Sequence, residues 1–528
     1  MKQIVQKIFN KLKILPAQAW LLMAVVMLGA GLRFYRLTYF DLWYDEVLSI
    51  REALNSARFI SELHASTVAP LYFLVLALWI KIFGFSIYAV RFLSAAPSAL
   101  SIVLLYLLGK HYFDTKTGLL TALILALAPL HIWYAQEARM YSLSVFFCLL
   151  MVYAGMRLEK QQNFCWLMSF VCIAIVSVYL NYFALFILLA CLILQHNKML
   201  FASRRYRTGM ILLVIGILPC IFIACLQLHN IQRSFWIHVP QMIDLQIACA
   251  NFIAGYNGTI VTISASVVLL FGLIFFALIK ELKNTQYWFF VCCGVMPIIA
   301  LFILSQFVPV FVVKALIIFT PFVYLLLVRG FFTIPLIWLR VLFLGMVFGI
   351  MILSAYNYYK GLVPAPERFS AGVQLRVNIK EAVSFIKEQW REGDIIVHSN
   401  VHTLFPFLYA MRAEKDVVYM YLHMPGAQQD KYWRDMYDMD RKFKGSPLKQ
   451  FQYEVRQVSN STFFYSQRRM WLISSNWRVD GLMDEYALAV RKQIMSRYQR
   501  VQSVCIDKMY IDLFLLDQPA QVAVSHNN

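Results

Sequence analysis

Residues 15–37 read LPAQAWLLMAVVMLGAGLRFYRL, and residues 41–46, which follow almost at once, read DLWYDE. The first stretch is long enough to cross a hydrocarbon core, which takes roughly 20 apolar residues. Lysines precede it at positions 2, 7, 11 and 13, and positive residues stay on the cytoplasmic side of a membrane. We therefore expect an uncleaved signal anchor, whose far end presents Asp45 and Glu46 at the outer face.

The composition of the whole chain indicates a polytopic membrane protein. Of 528 residues, 61% are hydrophobic and only 14% are charged, and most apolar runs are longer than a globular helix needs. Much of the net charge of +20 falls in short loops and in the C-terminal third. Membrane topology and lipid headgroups account for that charge, so we expect no nucleic-acid function. The ten cysteines lie mainly inside apolar runs and are interpreted as small core residues.

Further apolar stretches follow the first one, and the basic residues between them set the topology. The stretches are 70–84, 87–108, 118–135, 140–157, 164–180, 182–197, 209–228, 259–280, 286–305, 312–328 and 335–357. Loops around Arg157, Arg205, Lys280 and Arg329 are assigned to the inside by the positive-inside rule. The number of membrane crossings agrees with these assignments only if residues 70–84 do not cross. We therefore expect this short stretch, which begins with Pro, to lie as an interfacial helix at the outer face. About eleven membrane-spanning helices remain, and both the acidic loop and the C-terminal third lie outside.

From about Gly361 the composition changes to that of a soluble α/β domain. Residues 379–391 have the apolar spacing of an amphipathic helix, and residues 395–397 form a short apolar run typical of a buried strand. Further strands are predicted at 470–473 and 509–516, with a helix over 485–500 between them. The sequence thus predicts a membrane domain over residues 1–360 and an extracytoplasmic α/β domain over residues 361–528.

A second outside turn carries charges at membrane depth. Residues 131–141 read HIWYAQEARMY, which places Glu137 and Arg139 between two apolar helices, with Tyr134 and Tyr141 beside them. A charged residue in this position costs ~2.5 to 3.5 kcal/mol, so such residues usually face a polar cavity or a partner. An interfacial Glu–Arg pair beside an aromatic belt is the alternative. The carboxylates of DLWYDE likewise fit either a catalytic site or a solvated helix end.

Two more cations, Arg91 and Lys314, fall outside under this topology. Lys314 opens an apolar helix, where a side chain that only snorkels to the interface is the alternative. Two carboxylate sites and three cations on one face are the groups needed to handle a phosphate-bearing lipid of the outer leaflet.

In the order of its motifs, the chain resembles the GT-C glycosyltransferases. The motifs are the acidic loop DLWYDE, PLY at 70–72, F-G-x6-R at 83–91, YAQEARMY at 134–141, the cation-to-proline helix at 314–321 and an outside α/β tail. Within that group the chain is most similar to the bacterial members related to protein O-mannosyltransferases and to the lipid A aminoarabinose transferase. Such relatives commonly carry Arg where this chain has Lys314.

The resemblance implies an inverting glycosyltransferase at the periplasmic face of the bacterial inner membrane. Its donor is a hexose or pentose on a polyprenyl phosphate, and its acceptor is a glycan, a lipid or a protein. Such a displacement needs a carboxylate that takes the acceptor's proton and groups that stabilise the leaving phosphate. By resemblance Asp45 is the base, assisted by Glu46, and Arg139, Lys314 and Arg91 hold the phosphate.

Other roles in the site are also implied by resemblance. Glu137 orients Arg139 or the acceptor, while Tyr44, Tyr134 and Tyr141 line the sugar or the prenyl chain. A divalent metal is a candidate cofactor, with ligands drawn from Glu46, His64 and Glu137, although carboxylates alone do not define such a site.

Two other functions stay open at this point. A transporter or flippase would bind the same lipid-linked sugar without chemistry, and a polysaccharide polymerase or ligase would use the same donor. Transporters usually show internal repeats and interrupted helices, and we expect neither in this chain.

Overall fold

The computed structural model describes residues 16–61, 63, 66, 68–195, 204–234, 237–362, 378–399, 401–411, 418–423, 454–457, 469–475, 485–506 and 509–519. The chain falls into two compact units. The first consists of Met1–Leu37 with Arg58–Gly372, and the second of Thr38–Ala57 with Val373–Asn528. The loop that carries Asp45 and Glu46 therefore belongs to the same unit as the C-terminal third.

The first unit is built from apolar helices, which confirms the predicted polytopic α-helical fold. Its helices are Ala17–Phe34, Leu71–Phe83, Ile87–Tyr112, Thr115–Leu127, Pro129–Ala135, Tyr141–Gln161, Phe164–Leu180, Ala184–Ala190, the π-helical Cys191–Gln195, Arg204–Ser234, Met242–Ala254, the 3₁₀ turn Gly255–Asn257, Ile260–Lys280, Thr285–Leu304, Val313–Leu316, Thr320–Thr333 and Ile337–Tyr359. A short helix, Ser56–Ser61, follows the acidic loop, and the chain passes from the second unit back to the first within it.

Seven of the described helices are long and apolar enough to cross a membrane, or eight if one bent pair counts as a single span. Phe164–Leu180, Ala184–Leu194 and Thr320–Thr333 are apolar but shorter. Counting them as spans would give the predicted eleven, which stays a prediction. Leu71–Phe83 has 13 residues and is ~20 Å long at 1.5 Å per residue, too short for a hydrocarbon core of ~30 Å.

The bent pair consists of Thr115–Leu127 and Pro129–Ala135, whose axes differ by 58°. Pro129 causes the break because its nitrogen carries no hydrogen and its ring clashes with the preceding turn. The expectation that the chain contains no interrupted helix is therefore wrong. The break directs the second half-helix into the turn that contains Glu137 and Arg139.

The region 229–258, which connects the apolar stretches 209–228 and 259–280, contains a further helix, Met242–Ala254. Its start is fixed by Asp244, whose Oδ2 accepts a hydrogen bond from the backbone nitrogen of Gln241 at 2.7 Å. Residues 247–254 are all buried. The region is therefore part of the packed bundle and not only a loop.

Ionic contacts join the helix Thr320–Thr333 to the ends of two other helices at one end of the first unit. Arg329 donates to Glu281 Oε1 through Nε at 3.0 Å and to Asp114 Oδ2 through Nη1 at 3.4 Å. Asp114 follows the C-terminal end of the helix Ile87–Tyr112, which has 26 residues and is ~39 Å long. Arg91, in the first turns of that helix, therefore lies near the opposite end of the bundle.

The second unit contains a mixed six-stranded sheet in its described part. The strands are β1 (Ile395–His398), β2 (Val418–His423), β3 (Glu454–Gln457), β4 (Arg469–Ser475), β5 (Tyr498–Ile506) and β6 (Met509–Pro519), in the order β3-β2-β1-β4-β6-β5. β1 is parallel to both β2 and β4, while β6 is antiparallel to β4 and β5. The helices of this unit are Tyr44–Leu54, Ile379–Gln389, Val401–Ala410 and Glu485–Met495.

The strands predicted at 395–397, 470–473 and 509–516 are confirmed by β1, β4 and β6. The helix predicted over 485–500 is too long, because it ends at Met495 and the chain enters β5 at Tyr498. Pairing with β6 decides this outcome, since β5 pairs with that strand along its length, apart from register shifts after Tyr498 and at Val501. Local apolar spacing cannot reveal such a partner.

Candidate active site

The turn between the helices Pro129–Ala135 and Tyr141–Gln161 is charged and fully enclosed. Glu137 is 1% exposed and Arg139 is 8% exposed. The backbone nitrogen of Arg139 donates to the carbonyl oxygen of Glu137 at 2.8 Å, so the turn is tight. Ser94, on the helix Ile87–Tyr112, donates from Oγ to the carbonyl oxygen of Arg139 at 3.0 Å. These two hydrogen bonds fix the backbone from which the side chains of Glu137 and Arg139 extend.

The carboxylate of Glu137 is oriented by an indole. Trp133 lies one helical turn earlier and donates from Nε1 to Glu137 Oε1 at 2.6 Å. The Trp133 ring itself packs against Tyr358, with centroids 5.0 Å apart, and against Tyr256, with centroids 5.5 Å apart. A hydrogen bond to a carboxylate is stronger than one between neutral groups, so this contact sets the direction of the carboxylate.

Arg139 lies beside an aromatic wall. Its Cζ is 5.8 Å from the ring centroid of Tyr141, within the range of a cation–π contact. The rings of Tyr141 and Tyr134 are 4.6 Å apart, and the hydroxyls of Tyr134 and Tyr256 are 2.8 Å apart. The structure thus brings together four predicted site residues, Tyr134, Glu137, Arg139 and Tyr141. A guanidinium among tyrosines is suited to an anionic, partly apolar ligand.

Tyr256 was missed by the sequence reasoning. It lies in the 3₁₀ turn Gly255–Asn257, and Gly255 has φ of +57°. A Cβ at Gly255 would lie 2.9 Å from the Cβ of Pro129, so only glycine fits both the backbone and the space. The sequence signal was the Gly-Tyr-Asn triplet after an apolar segment, a C-terminal helix end.

The other predicted cations lie in different surroundings. Arg91 is buried, and its Nη1 donates to the carbonyl oxygen of Leu37 at 2.8 Å. At least one of its N–H groups therefore holds the end of the first helix. Lys314 is half-buried in the short helix Val313–Leu316, and its contact with a phosphate stays a prediction. His64 lies outside the described residues.

In the second unit, the carboxylates of the acidic loop have separate roles. Asp41 accepts from the backbone nitrogen of Lys380 at 2.9 Å and from its Nζ at 3.1 Å, at the start of the helix Ile379–Gln389. Glu46 is buried, and its Oε2 accepts from the backbone nitrogen of Trp43 at 3.3 Å, which caps the helix Tyr44–Leu54. Asp45 is half-buried and is the most accessible of the three carboxylates.

Tyr44 is a packing residue of the second unit. It is buried, and its ring centroid lies 4.7 Å from that of His402 and 5.6 Å from that of Phe405. These contacts hold the helix Tyr44–Leu54 against the helix Val401–Ala410, and so fix the backbone that carries Asp45.

The candidate metal ligands do not form a cluster in the described part of the chain. No three His, Cys, Asp or Glu side chains there lie close enough to hold a metal ion together. Glu137 is already oriented by Trp133, and Glu46 caps its own helix. The described donor set therefore does not fit a metal centre.

Comparisons with known proteins agree with this architecture. Residues 67–226 match the family model described as dolichyl-phosphate-mannose-protein mannosyltransferase. Among solved structures, ArnT from Cupriavidus metallidurans bound to undecaprenyl phosphate is similar with a TM-score of 0.52 and 12% identity, over 96% of this chain and 99% of that chain. The archaeal oligosaccharyltransferase AglB from Archaeoglobus fulgidus, in complex with an inhibitory peptide and a dolichol-phosphate, is similar with a TM-score of 0.50 and 10% identity, over 92% of this chain and 72% of that chain. No sequence match is found among curated proteins.

These findings establish the fold of the protein. It is a multi-pass membrane protein with the GT-C glycosyltransferase fold. Residues 67–226 are similar to the O-mannosyltransferase family model, and the fold of the chain is similar to that of ArnT.

Proposed function

We propose that the protein is an inverting glycosyltransferase that moves a sugar from a polyprenyl-phosphate donor to an acceptor. The observation that carries the proposal is the buried Glu137–Arg139 turn, in which a guanidinium lies 5.8 Å from the ring centroid of Tyr141. Burying such charges is costly unless they have a partner or a ligand. Support also comes from the undecaprenyl phosphate bound to ArnT and the dolichol-phosphate bound to AglB.

In the proposed reaction, Asp45 takes the proton from the acceptor's nucleophilic group while that group attacks the anomeric carbon. The bond from the anomeric carbon to the phosphate oxygen breaks, and the polyprenyl phosphate leaves with the electron pair. Attack from the opposite face inverts the anomeric configuration. Asp45 is the preferred base because Asp41 binds Lys380 and Glu46 caps its own helix, whereas a base has to be accessible to the acceptor.

Arg139 and Lys314 are proposed to take up the negative charge that develops on the leaving phosphate. Arginine can donate two parallel N–H bonds to one phosphate, while lysine acts as a point charge. Glu137, fixed by Trp133, would orient Arg139. Arg91 would keep the end of the first helix in place through its bond to the Leu37 carbonyl.

We also propose that the Glu137–Arg139 turn faces the periplasm of a bacterial cell. The positive-inside rule assigns the loops at Lys280 and Arg329 to the cytoplasm. Those loops meet at the end of the bundle where Asp114 binds Arg329. Arg91 and the Ser94 contact to Arg139 lie near the other end of the same long helix.

The phosphate site is tested by binding. The purified protein in nanodiscs is titrated with undecaprenyl phosphate and with undecaprenol, which lacks the phosphate, and binding is read by native mass spectrometry. We expect binding to need the phosphate and to weaken at least ~10-fold, or about 1.4 kcal/mol, in Arg139→Ala. Arg205→Ala, which changes an exposed arginine, serves as the control and should bind normally. Equal binding of the two lipids, or unchanged affinity in Arg139→Ala, would refute the phosphate site.

A further inference from the structure

Gln136, the residue before Glu137, is buried, and both the nitrogen and the oxygen of its side-chain amide make hydrogen bonds. It is 1% exposed. Its Nε2 donates to the carbonyl oxygens of Arg33 at 3.0 Å and Tyr35 at 2.7 Å, and its Oε1 accepts from the hydroxyl of Tyr358 at 2.7 Å. Carbonyl oxygens only accept hydrogen bonds, so these partners fix which amide atom is the nitrogen.

The first of these anchors is the end of the first membrane helix, which is itself held rigidly. The guanidinium of Arg33 is fully buried and donates to the carbonyl oxygens of Leu125 at 2.9 Å and Ala126 at 3.0 Å. The carbonyl of Leu125 would normally accept from residue 129, but Pro129 has no N–H. Arg33 therefore ties the first helix to the break between Thr115–Leu127 and Pro129–Ala135, and the carbonyl oxygen of Arg33 accepts a hydrogen bond from Gln136.

The second anchor is Tyr358, near the end of the last membrane helix. Its hydroxyl bonds to Gln136, and its ring packs 5.0 Å from that of Trp133. Trp133 is the residue that donates to the Glu137 carboxylate. Tyr358 therefore supports the charged turn by two routes, through the Gln136 amide and through the Trp133 ring.

We infer that Gln136 is a positioning residue, which holds Glu137 and Arg139 in their working geometry by tying the turn to the ends of the first and last membrane helices. The inference rests on the proposed function in one respect, because the proposed function makes this turn part of the transfer site. An amide is required because the position needs both a donor and an acceptor. Glutamate could accept from Tyr358 but could not donate to the two carbonyls, and leucine could do neither.

The test uses Gln136→Glu, Gln136→Leu, Tyr358→Phe and the double variant Gln136→Leu/Tyr358→Phe in the full-length protein in nanodiscs. Tyr356→Phe is the control, because Tyr356 lies on the same helix and is 57% exposed. The first measurement is hydrogen exchange of the backbone amides of residues 134–141, which reports local opening. We expect both Gln136 variants to raise that exchange at least ~10-fold, about 1.4 kcal/mol in local stability, and Tyr356→Phe to leave it unchanged.

The second measurement is the rate at which undecaprenyl phosphate is released from undecaprenyl-phosphate sugars at saturating donor. We expect kcat to fall at least ~10-fold in Gln136→Leu. The effects of Gln136→Leu and Tyr358→Phe should not add in the double variant, because each removes the same hydrogen bond. A general loss of stability would not produce this pairwise coupling.

Wild-type exchange across residues 134–141 in Gln136→Leu would overturn the inference, and so would fully additive effects in the double variant. If the wild-type protein releases no polyprenyl phosphate from any donor, the proposed function fails, and the exchange measurement alone decides the role of Gln136. If Gln136→Leu does not accumulate, the exchange of Gln136→Glu and Tyr358→Phe decides it instead.

Discussion

Replacement of Arg33 by leucine is expected to destabilise the first unit by about 4 kcal/mol. The guanidinium donates to Ser98 Oγ at 2.7 Å and to the carbonyls of Leu125 and Ala126, at the break that Pro129 makes. Leucine removes the donors and leaves two buried carbonyls without them, at ~1 to 3 kcal/mol each. Removal of one partner from a buried charged network typically costs ~3 to 5 kcal/mol, which agrees with that sum.

Unfolding of the purified protein by increasing denaturant, followed by circular dichroism, measures this loss. Ser98→Ala is a graded control, because it removes only one of the four hydrogen bonds of Arg33 and should cost ~1 to 2 kcal/mol. Arg33→Lys should fall between the two, since an ammonium cannot span the same acceptors as a guanidinium. A stability of Arg33→Leu within ~1 kcal/mol of the wild type would refute the argument that Arg33 holds the broken helix.

Three further predictions concern the charged groups. Asp45→Asn should lower sugar transfer by ~10² to 10⁴-fold without loss of folding, and retained activity within ~10-fold, measured as released polyprenyl phosphate, would exclude Asp45 as the base. Lys314→Ala should slow transfer or weaken donor binding while Lys314→Arg keeps function, since arginine retains the positive charge that binds a phosphate; an unchanged rate and affinity in Lys314→Ala would leave this residue as a membrane anchor. Burial lowers the pKa of His398 to about 3, so the unfolded chain, with a pKa near ~6.5, binds the proton first as the pH falls. Stability of the second unit should therefore be constant above pH ~6.5 and fall by about 2 kcal/mol at pH 5; chemical unfolding at the two pH values checks this, and His398→Gln should remove the dependence.

The membrane helices were predictable because the bilayer imposes a length and a composition that local sequence displays directly. The charged turn was predictable for the same reason, since Glu137 and Arg139 stand out against their apolar flanks. The role of Arg33 was not predictable, because it depends on carbonyls almost a hundred residues away. Gln136 carried no signal, since a neutral polar residue in a turn is ordinary until its partners are known.

The roles of the carboxylates in the acidic loop were also not predictable from the sequence alone. Asp41, Asp45 and Glu46 look equivalent in the sequence, and only the structure shows that Asp41 binds Lys380 and that Glu46 caps its own helix. The first three residues of β5, 498–500, were predicted as the end of a helix, because pairing with β6 and not the local residue pattern decides their conformation.

The central claim is that the protein breaks the bond between a sugar and a polyprenyl phosphate. It is tested most directly by supplying the reconstituted protein with undecaprenyl phosphates that carry mannose, glucose or aminoarabinose, together with cell membranes as the source of acceptors. Mass spectrometry then follows the lipid, and NMR follows the anomeric configuration of the product. We predict that wild-type protein releases undecaprenyl phosphate with one sugar and inverts the anomeric centre, and that Asp45→Asn does not. If the intact lipid-linked sugar only changes leaflet, or if no phosphate is released with any donor, the protein is not the transferase proposed.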